Sequence, residues 1–143
     1  MTEPQTFELE IPAESRFLAT ARNFASDAAR SAGWLDESQL DDVRLVVSEA
    51  VTNALRAQEH REVDDLIRVT SLVFEDRMEI LVSDSAGGFE VPPDAPGFPD
   101  PDPQRESGFG LPLIEALSDE AHFTRAGGGT VVRVVVYRVN DSD

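Results

Sequence analysis

The stretch LDDVRLVVSEAVTNALR, residues 40–56, decides how the rest of the chain is organised. Its apolar residues recur at intervals of three and four, which predicts an amphipathic helix with one broad face towards a core. Glu49 and Asn53 are four residues apart, so they lie one helical turn from each other on the opposite, polar side. The apolar residues are Leu40, Val43, Val46, Val47, Ala50, Val51, Ala54 and Leu55.

The polar side of this helix has two interpretations. A solvated face explains the polar side of most surface helices. Leu45, one turn before Glu49 in the same polar sector, instead indicates that something covers this side. A partly covered glutamate beside an asparagine favours a proton acceptor next to an oxygen ligand for a metal ion.

Composition limits the classes of protein that this chain can represent. It has 143 residues, of which 41% are hydrophobic, so we expect one globular domain over residues 1–143. The net charge of -16 repels nucleic acids and anionic membranes. All 12 basic residues are arginine and there is no cysteine, which excludes catalysis by lysine or by a thiol. Because there is no signal-peptide pattern and no membrane-spanning apolar run, we expect a cytoplasmic protein.

Periodicity predicts five strands and three helices. Strands are expected at residues 6–11, 66–74, 78–83, 121–125 and 130–139, and helices at residues 13–32, 111–118 and from the cap residue Asp36 to about His60, with Gly33 ending the first helix. Runs of neighbouring strands favour a mostly antiparallel sheet with the helices on one face, which is an α+β sandwich. The last strand is nearly all β-branched and is expected inside the sheet. Six of the nine prolines lie within residues 91–106, which predicts a functional loop, a lid of about residues 91–107.

Two further motifs have the chemistry of a ligand site. Asp84 ends a predicted strand, where its carboxylate can accept a hydrogen bond from an amino group, and Gly87 and Gly88 let a flat ring approach the backbone. Gly108 and Gly110 open the third helix, where backbone N–H groups and the helix dipole can hold phosphate. An ordinary turn explains each motif alone, but their order along the chain, with the proline-rich loop between them, is more specific.

In this order the motifs resemble those of the anti-sigma-factor serine/threonine protein kinases, within the histidine-kinase-like ATPase superfamily and its Bergerat ATP-binding fold. The similar segments are residues 48–54 (SEAVTNA, the asparagine box), 83–89 (SDSAGGF, the D-x-G-x-G box), 108–114 (GFGLPLI, the G-x-G-L-x-L-I box) and 127–132 (GGGTVV, the closing G-G-T segment). The resemblance covers about residues 7–137. It implies a two-layer sandwich with a mixed, mostly antiparallel sheet and about three helices on one face.

The resemblance also implies roles for particular residues. Glu49 would be the general base that orients the substrate hydroxyl, and Asn53 would bind the Mg²⁺ ion that bridges the phosphates of ATP. Asp84 would accept a hydrogen bond from the adenine amino group, with Thr130 beside it. The remaining contacts to the nucleotide would come from Gly88, Arg105, Gly108 and Gly110.

By this resemblance the chain is an ATP-dependent serine/threonine protein kinase that acts as an anti-sigma factor. It would phosphorylate an anti-sigma-factor antagonist of the STAS type, sequester a sigma factor and work as a homodimer, without direct contact with nucleic acid or membrane.

Two departures from the family pattern favour an alternative. Ala86 replaces the first glycine of the D-x-G-x-G box, and the lid carries acidic residues that repel phosphates. The alternative is a catalytically weak or inactive module of the same fold that regulates transcription by partner exchange. A third interpretation is an acidic scaffold in which the glycine segments are only turns. The acidic lid residues are Asp94, Asp100, Asp102 and Glu106.

Overall fold

The computed structural model describes residues 3–60, 65–85, 110–126 and 129–138. Within these ranges the chain forms the five strands and three helices that the sequence predicts. The strands are β1 (Gln5–Ile11), β2 (Ile67–Val73), β3 (Arg77–Asp84), β4 (Glu120–Ala126) and β5 (Gly129–Tyr137), and the helices are α1 (Leu18–Ala32), α2 (Glu37–His60) and α3 (Gly110–Leu117). The predicted lid, about residues 91–107, lies outside the described residues.

The five strands form one sheet in the order β1-β2-β3-β5-β4, and each pair of neighbours is antiparallel. The α+β sandwich predicted from the sequence is therefore confirmed. The last strand, β5, lies between β3 and β4, as its β-branched composition indicated. Val134 and Val135 point to opposite faces of the sheet and both are buried, which is the environment that favours such a strand.

Helix α2 buries the apolar stripe that the sequence predicts. Val43, Val47 and Val51 are among its fully buried side chains, and they form one core with Val69 of β2 and Ile80 of β3. This packing places α2 against β2 and β3. Among the described helices, none is both long and apolar enough to cross a membrane.

The ends of the first two helices follow from local backbone chemistry. Gly33 adopts the left-handed conformation at φ 80° and ends α1, as predicted. Asp36 caps α2: its carboxylate accepts a hydrogen bond from the Gln39 backbone N–H at 2.8 Å, and the Gln39 side chain accepts one from the Asp36 N–H at 3.0 Å. The predicted start of α1 at residue 13 is wrong, because Glu14 is extended and residues 15–17 form a separate 3₁₀ turn.

The face of the sheet away from α2 carries a buried carboxylate, which holds β3 to β5. Glu79 has a side chain 6% exposed and accepts hydrogen bonds from Arg77 Nε at 2.7 Å and from Arg133 Nε at 2.8 Å. Burial alone would raise the pKa of Glu79, but the hydrogen bonds from Arg133 and Arg77 outweigh that effect and lower it. Glu79 alternates with Met78 and Ile80, which face the helices, so this ion-pair cluster is structural and lies apart from the predicted site.

Candidate functional site

The polar side of α2 contains a buried amide. Asn53 is 3% exposed, and its Nδ2 has no hydrogen-bond partner among the described residues. Glu49, one turn earlier, is half-buried, whereas Leu45, one turn earlier again, is 42% exposed. This polar side of α2 is therefore covered at Asn53, whereas Leu45, whose apolar side chain indicates a cover, is exposed. A buried amide with unmet hydrogen-bonding capacity is unfavourable for the fold alone, so it is a candidate for contact with a ligand.

Asp84 and Thr130 meet at one end of the sheet. Asp84 is the last residue of β3 and pairs directly with Thr130 of β5. Because Val82 and Val132 face the helices, the alternation of side chains places Asp84 and Thr130 on that face too. Thr130 is 1% exposed, and its Oγ1 has no partner in the part of the chain that the structure describes. A carboxylate and a buried hydroxyl thus lie side by side at the strand end.

Gly129 lets the start of β5 approach the end of β3. A Cβ atom at this position would overlap the carbonyl oxygen of Asp84 and lie 3.0 Å from its carbonyl carbon and 3.1 Å from the Cα of Ser85. Any other residue would push the two strands apart exactly where Asp84 is held, so glycine is required for the close approach. The sequence placed Gly129 in the closing glycine segment but indicated no contact for it.

Gln58 connects α2 to this strand end, and sequence reasoning missed it. Its side chain is fully buried. Its Nε2 donates a hydrogen bond to the Asp65 carbonyl oxygen at 2.6 Å, and its Oε1 accepts one from the Ser85 N–H at 2.9 Å. These partners are 7 and 27 residues away along the chain, so no local pattern could have revealed them. The helix that carries Asn53 is therefore fastened beside Asp84.

The third predicted motif reaches the same helix. Gly110 is the first residue of α3, and α3 packs against α2 with Ile114 fully buried. Helix α2 therefore packs against α3 and is also joined through Gln58 to the end of β3, where Asp84 pairs with Thr130 of β5. Three predicted site residues, Gly88, Arg105 and Gly108, lie outside the described residues.

Comparisons with known sequences identify the family to which the chain is similar. Residues 11–136 match the family described as histidine kinase-like ATPase domain. Serine-protein kinase RsbW of Listeria monocytogenes serotype 4a is 34% identical over 131 residues, which cover 87% of this chain and 82% of that protein. Serine-protein kinase RsbW of Oceanobacillus iheyensis is 31% identical over 134 residues, which cover 90% of this chain and 84% of that protein.

Two solved structures share the fold. A crystal structure of RsbU and RsbW domains from Mycobacterium tuberculosis superposes with a TM-score of 0.67 at 22% identity, covering 97% of this chain and 35% of that one. The catalytic domain of histidine kinase ThkA superposes with a TM-score of 0.54 at 13% identity, covering 96% of this chain and 97% of that one. At these identities the likeness concerns the fold.

Proposed function

This chain belongs to the anti-sigma-factor serine-protein kinases of the histidine kinase-like ATPase family, and we propose that it transfers phosphate from ATP to serine or threonine in a partner protein. The observation that carries the proposal is the buried Asn53 amide with its unmet hydrogen bond, on the helix fastened beside Asp84. Burial of such a group without a partner is unfavourable, and its place on the helix beside Asp84 supports contact with a ligand there. A ligand with phosphate oxygens at one end, which can accept a hydrogen bond from Asn53 Nδ2, and an amino group at the other end explains both residues.

The Asn53 amide oxygen is a suitable ligand for Mg²⁺, which prefers oxygen. Mg²⁺ usually keeps water and substrate phosphate oxygens among its ligands, and these would complete its coordination beside Asn53. When bound, the ion neutralises the charge of the phosphates. The role of Asn53 is therefore to hold the phosphate end of the nucleotide against α2.

Asp84 and Thr130 would hold the base, and Glu49 would act on the substrate. The Asp84 carboxylate accepts a hydrogen bond from the adenine amino group, and the Thr130 hydroxyl beside it supplies a further hydrogen bond. Glu49, half-buried one turn before Asn53, orients the substrate hydroxyl and accepts its proton. Gly88, Gly108 and Gly110 would line the nucleotide and Arg105 would contact its terminal phosphate, with residues 91–107 as the lid of a single domain. Phosphoryl transfer depends on such positioning and charge neutralisation more than on covalent chemistry.

The partners follow from the same family. We propose that the substrate is a STAS-type anti-sigma-factor antagonist, that the chain sequesters a sigma factor, and that it works as a homodimer. The relatives are named serine-protein kinase RsbW, which supports a protein substrate. The net charge of -16 supports protein partners over nucleic acid. Proteins that co-purify with the chain, identified by mass, test this assignment.

A phosphate-transfer assay tests the catalytic claim. The chain is incubated with labelled ATP, Mg²⁺ and the antagonist encoded in the same organism. Glu49→Gln is expected to reduce transfer about 100-fold or more because it removes the proton acceptor while keeping the side chain's shape. Glu59→Gln, at an exposed position on the same helix, is the matched control and should retain wild-type transfer.

The outcomes separate the two functions considered for this fold. Transfer that is undiminished in Glu49→Gln contradicts the role of Glu49. Tight ATP binding without any transfer to the antagonist contradicts a kinase that acts on this protein, and it also counts against a binding module with poor nucleotide affinity. Absence of nucleotide binding contradicts both the kinase and the ATP site.

A further inference from the structure

Gln58 occupies the point where the pairing between β2 and β3 stops. The last pair in the β2–β3 ladder at this end is Arg68 with Ser83. On its other side β3 continues one residue further, to the pair of Asp84 with Thr130. Asp84 therefore pairs with β5, but it lies one residue beyond the last residue of β3 that pairs with β2.

Beyond the end of the β2–β3 pairing, the Gln58 amide joins the backbone that follows β3 to the backbone that precedes β2. Its Oε1 accepts the Ser85 N–H at 2.9 Å, and its Nε2 donates to the Asp65 carbonyl oxygen at 2.6 Å, just before β2 begins. A side-chain amide has one strong acceptor and two donors, so it can join two backbones that do not meet each other. Because Gln58 is fully buried, water cannot replace these hydrogen bonds without opening the strand end.

We propose that Gln58 is a positioning residue, whose buried amide fixes the peptide after Asp84 and so aims the Asp84 carboxylate at the amino group of the purine. This inference rests on the proposed function, because it assumes that Asp84 reads the base. Two residues of α2 then act at opposite ends of the nucleotide: Asn53 holds the phosphate end, and Gln58 holds the strand end that recognises the base. Gln58 itself does not touch the nucleotide in this account.

Base discrimination distinguishes positioning from simple stability. Adenine presents an amino group to Asp84, whereas guanine presents a carbonyl oxygen at the corresponding ring position, which a carboxylate repels. A correctly aimed Asp84 therefore favours ADP over GDP, and a misplaced one loses that preference. Lost stability alone lowers the fraction of folded protein and affects both nucleotides equally.

The experiment measures the dissociation constants of Mg²⁺-ADP and Mg²⁺-GDP by calorimetry for the wild type and for Gln58→Met. Methionine is close to glutamine in length but makes neither hydrogen bond. We expect ADP to bind about tenfold more weakly and GDP to change much less, so that the ADP-to-GDP preference falls by about the same factor. Val47→Ala, which removes buried methyl groups from the same helix, is the control for lost stability and should keep the wild-type preference.

Gln58→Asn provides the test if Gln58→Met does not fold. It keeps the amide, but the side chain is one methylene shorter and cannot reach both backbone groups, so the preference should fall in the same direction. A folded variant at position 58 with wild-type ADP affinity and wild-type preference overturns the inference. A wild-type protein that binds neither nucleotide overturns the proposed function first, and the two failures are thereby distinguished.

Discussion

Substituting Thr130 by valine separates the unfavourable burial of a hydroxyl from its use in binding. Thr130 is 1% exposed, and its Oγ1 has no hydrogen-bond partner among the residues described. Burying a hydroxyl without a partner costs about 1–3 kcal/mol, and valine has nearly the same shape without that group. For the protein without nucleotide, we expect the free energy of unfolding to rise by about 1 kcal/mol and Tm to rise by about 3–4 °C.

The same substitution is expected to weaken ADP binding, because the Thr130 side chain lies beside Asp84 at the strand end. A ligand at 100 times its Kd stabilises the folded state by about 2.7 kcal/mol. If Thr130→Val weakens binding tenfold, the same ADP concentration is only about 10 times Kd, and the stabilisation falls to about 1.4 kcal/mol. Thermal unfolding with and without Mg²⁺-ADP measures both effects in one series.

Ser71→Ala is the matched control for this experiment. Ser71 is also buried with an unpartnered hydroxyl in the described part of the chain, but it lies in mid-strand opposite Ile80, away from the strand end. Its loss should leave the stabilisation by ADP unchanged. A lower Tm of Thr130→Val without nucleotide would show that the hydroxyl has a hydrogen-bond partner in the free protein. Equal stabilisation of Thr130→Val and the wild type by ADP would show that the hydroxyl does not contribute to binding.

Three further predictions concern stability and the geometry around the site. Glu79→Gln should lower the free energy of unfolding in urea at pH 7 by about 1–2 kcal/mol, because it weakens charge-assisted hydrogen bonds such as that from Arg133. The pKa of Glu79 is lowered in the folded state, so this contribution is present above the unfolded pKa of about 4.3 and is lost as the pH falls through the folded value. If the wild type stays more stable than Glu79→Gln in strong acid, the predicted loss of this contribution at low pH is contradicted. Gly129→Ala should lower the free energy of unfolding in urea by about 1–3 kcal/mol, because its Cβ would overlap the Asp84 carbonyl oxygen. The same substitution should weaken ADP binding in calorimetry, and an unchanged ADP affinity would show that the close approach of the two strands is not needed for binding. Asp36→Ala should cost about 1 kcal/mol of stability in urea through loss of the cap and leave the Kd for ADP unchanged.

Features set by nearby residues could be predicted from the sequence. The stripe of α2 and the alignment of Glu49 with Asn53 follow from about 3.6 residues per turn, and the capping role of Asp36 depends on Gln39, only three residues away. The start of α1 was missed although it is local, because the 3₁₀ turn at residues 15–17 carries helix-forming residues and does not differ from a helix in its apolar pattern.

Features set by strand pairing could not be predicted in the same way. β5 lies between β3 and β4, so Asp84 meets Thr130 across a long separation in sequence that no periodicity encodes. The need for Gly129 arises from that pairing, and the hydrogen bond from Ser85 to Gln58 arises from the packing of α2 on the sheet. The position at a predicted strand end indicates Asp84 as a candidate and the family resemblance adds Thr130, whereas the contacts that hold them required the structure.

The nucleotide site is tested most directly by the position of the adenine amino nitrogen in a crystal structure of the chain with ADP and Mg²⁺. We expect this nitrogen about 2.7–3.2 Å from a carboxylate oxygen of Asp84, with the ion about 2.0–2.1 Å from the amide oxygen of Asn53. A nucleotide bound away from α2, or one whose base does not reach Asp84, would contradict this expectation.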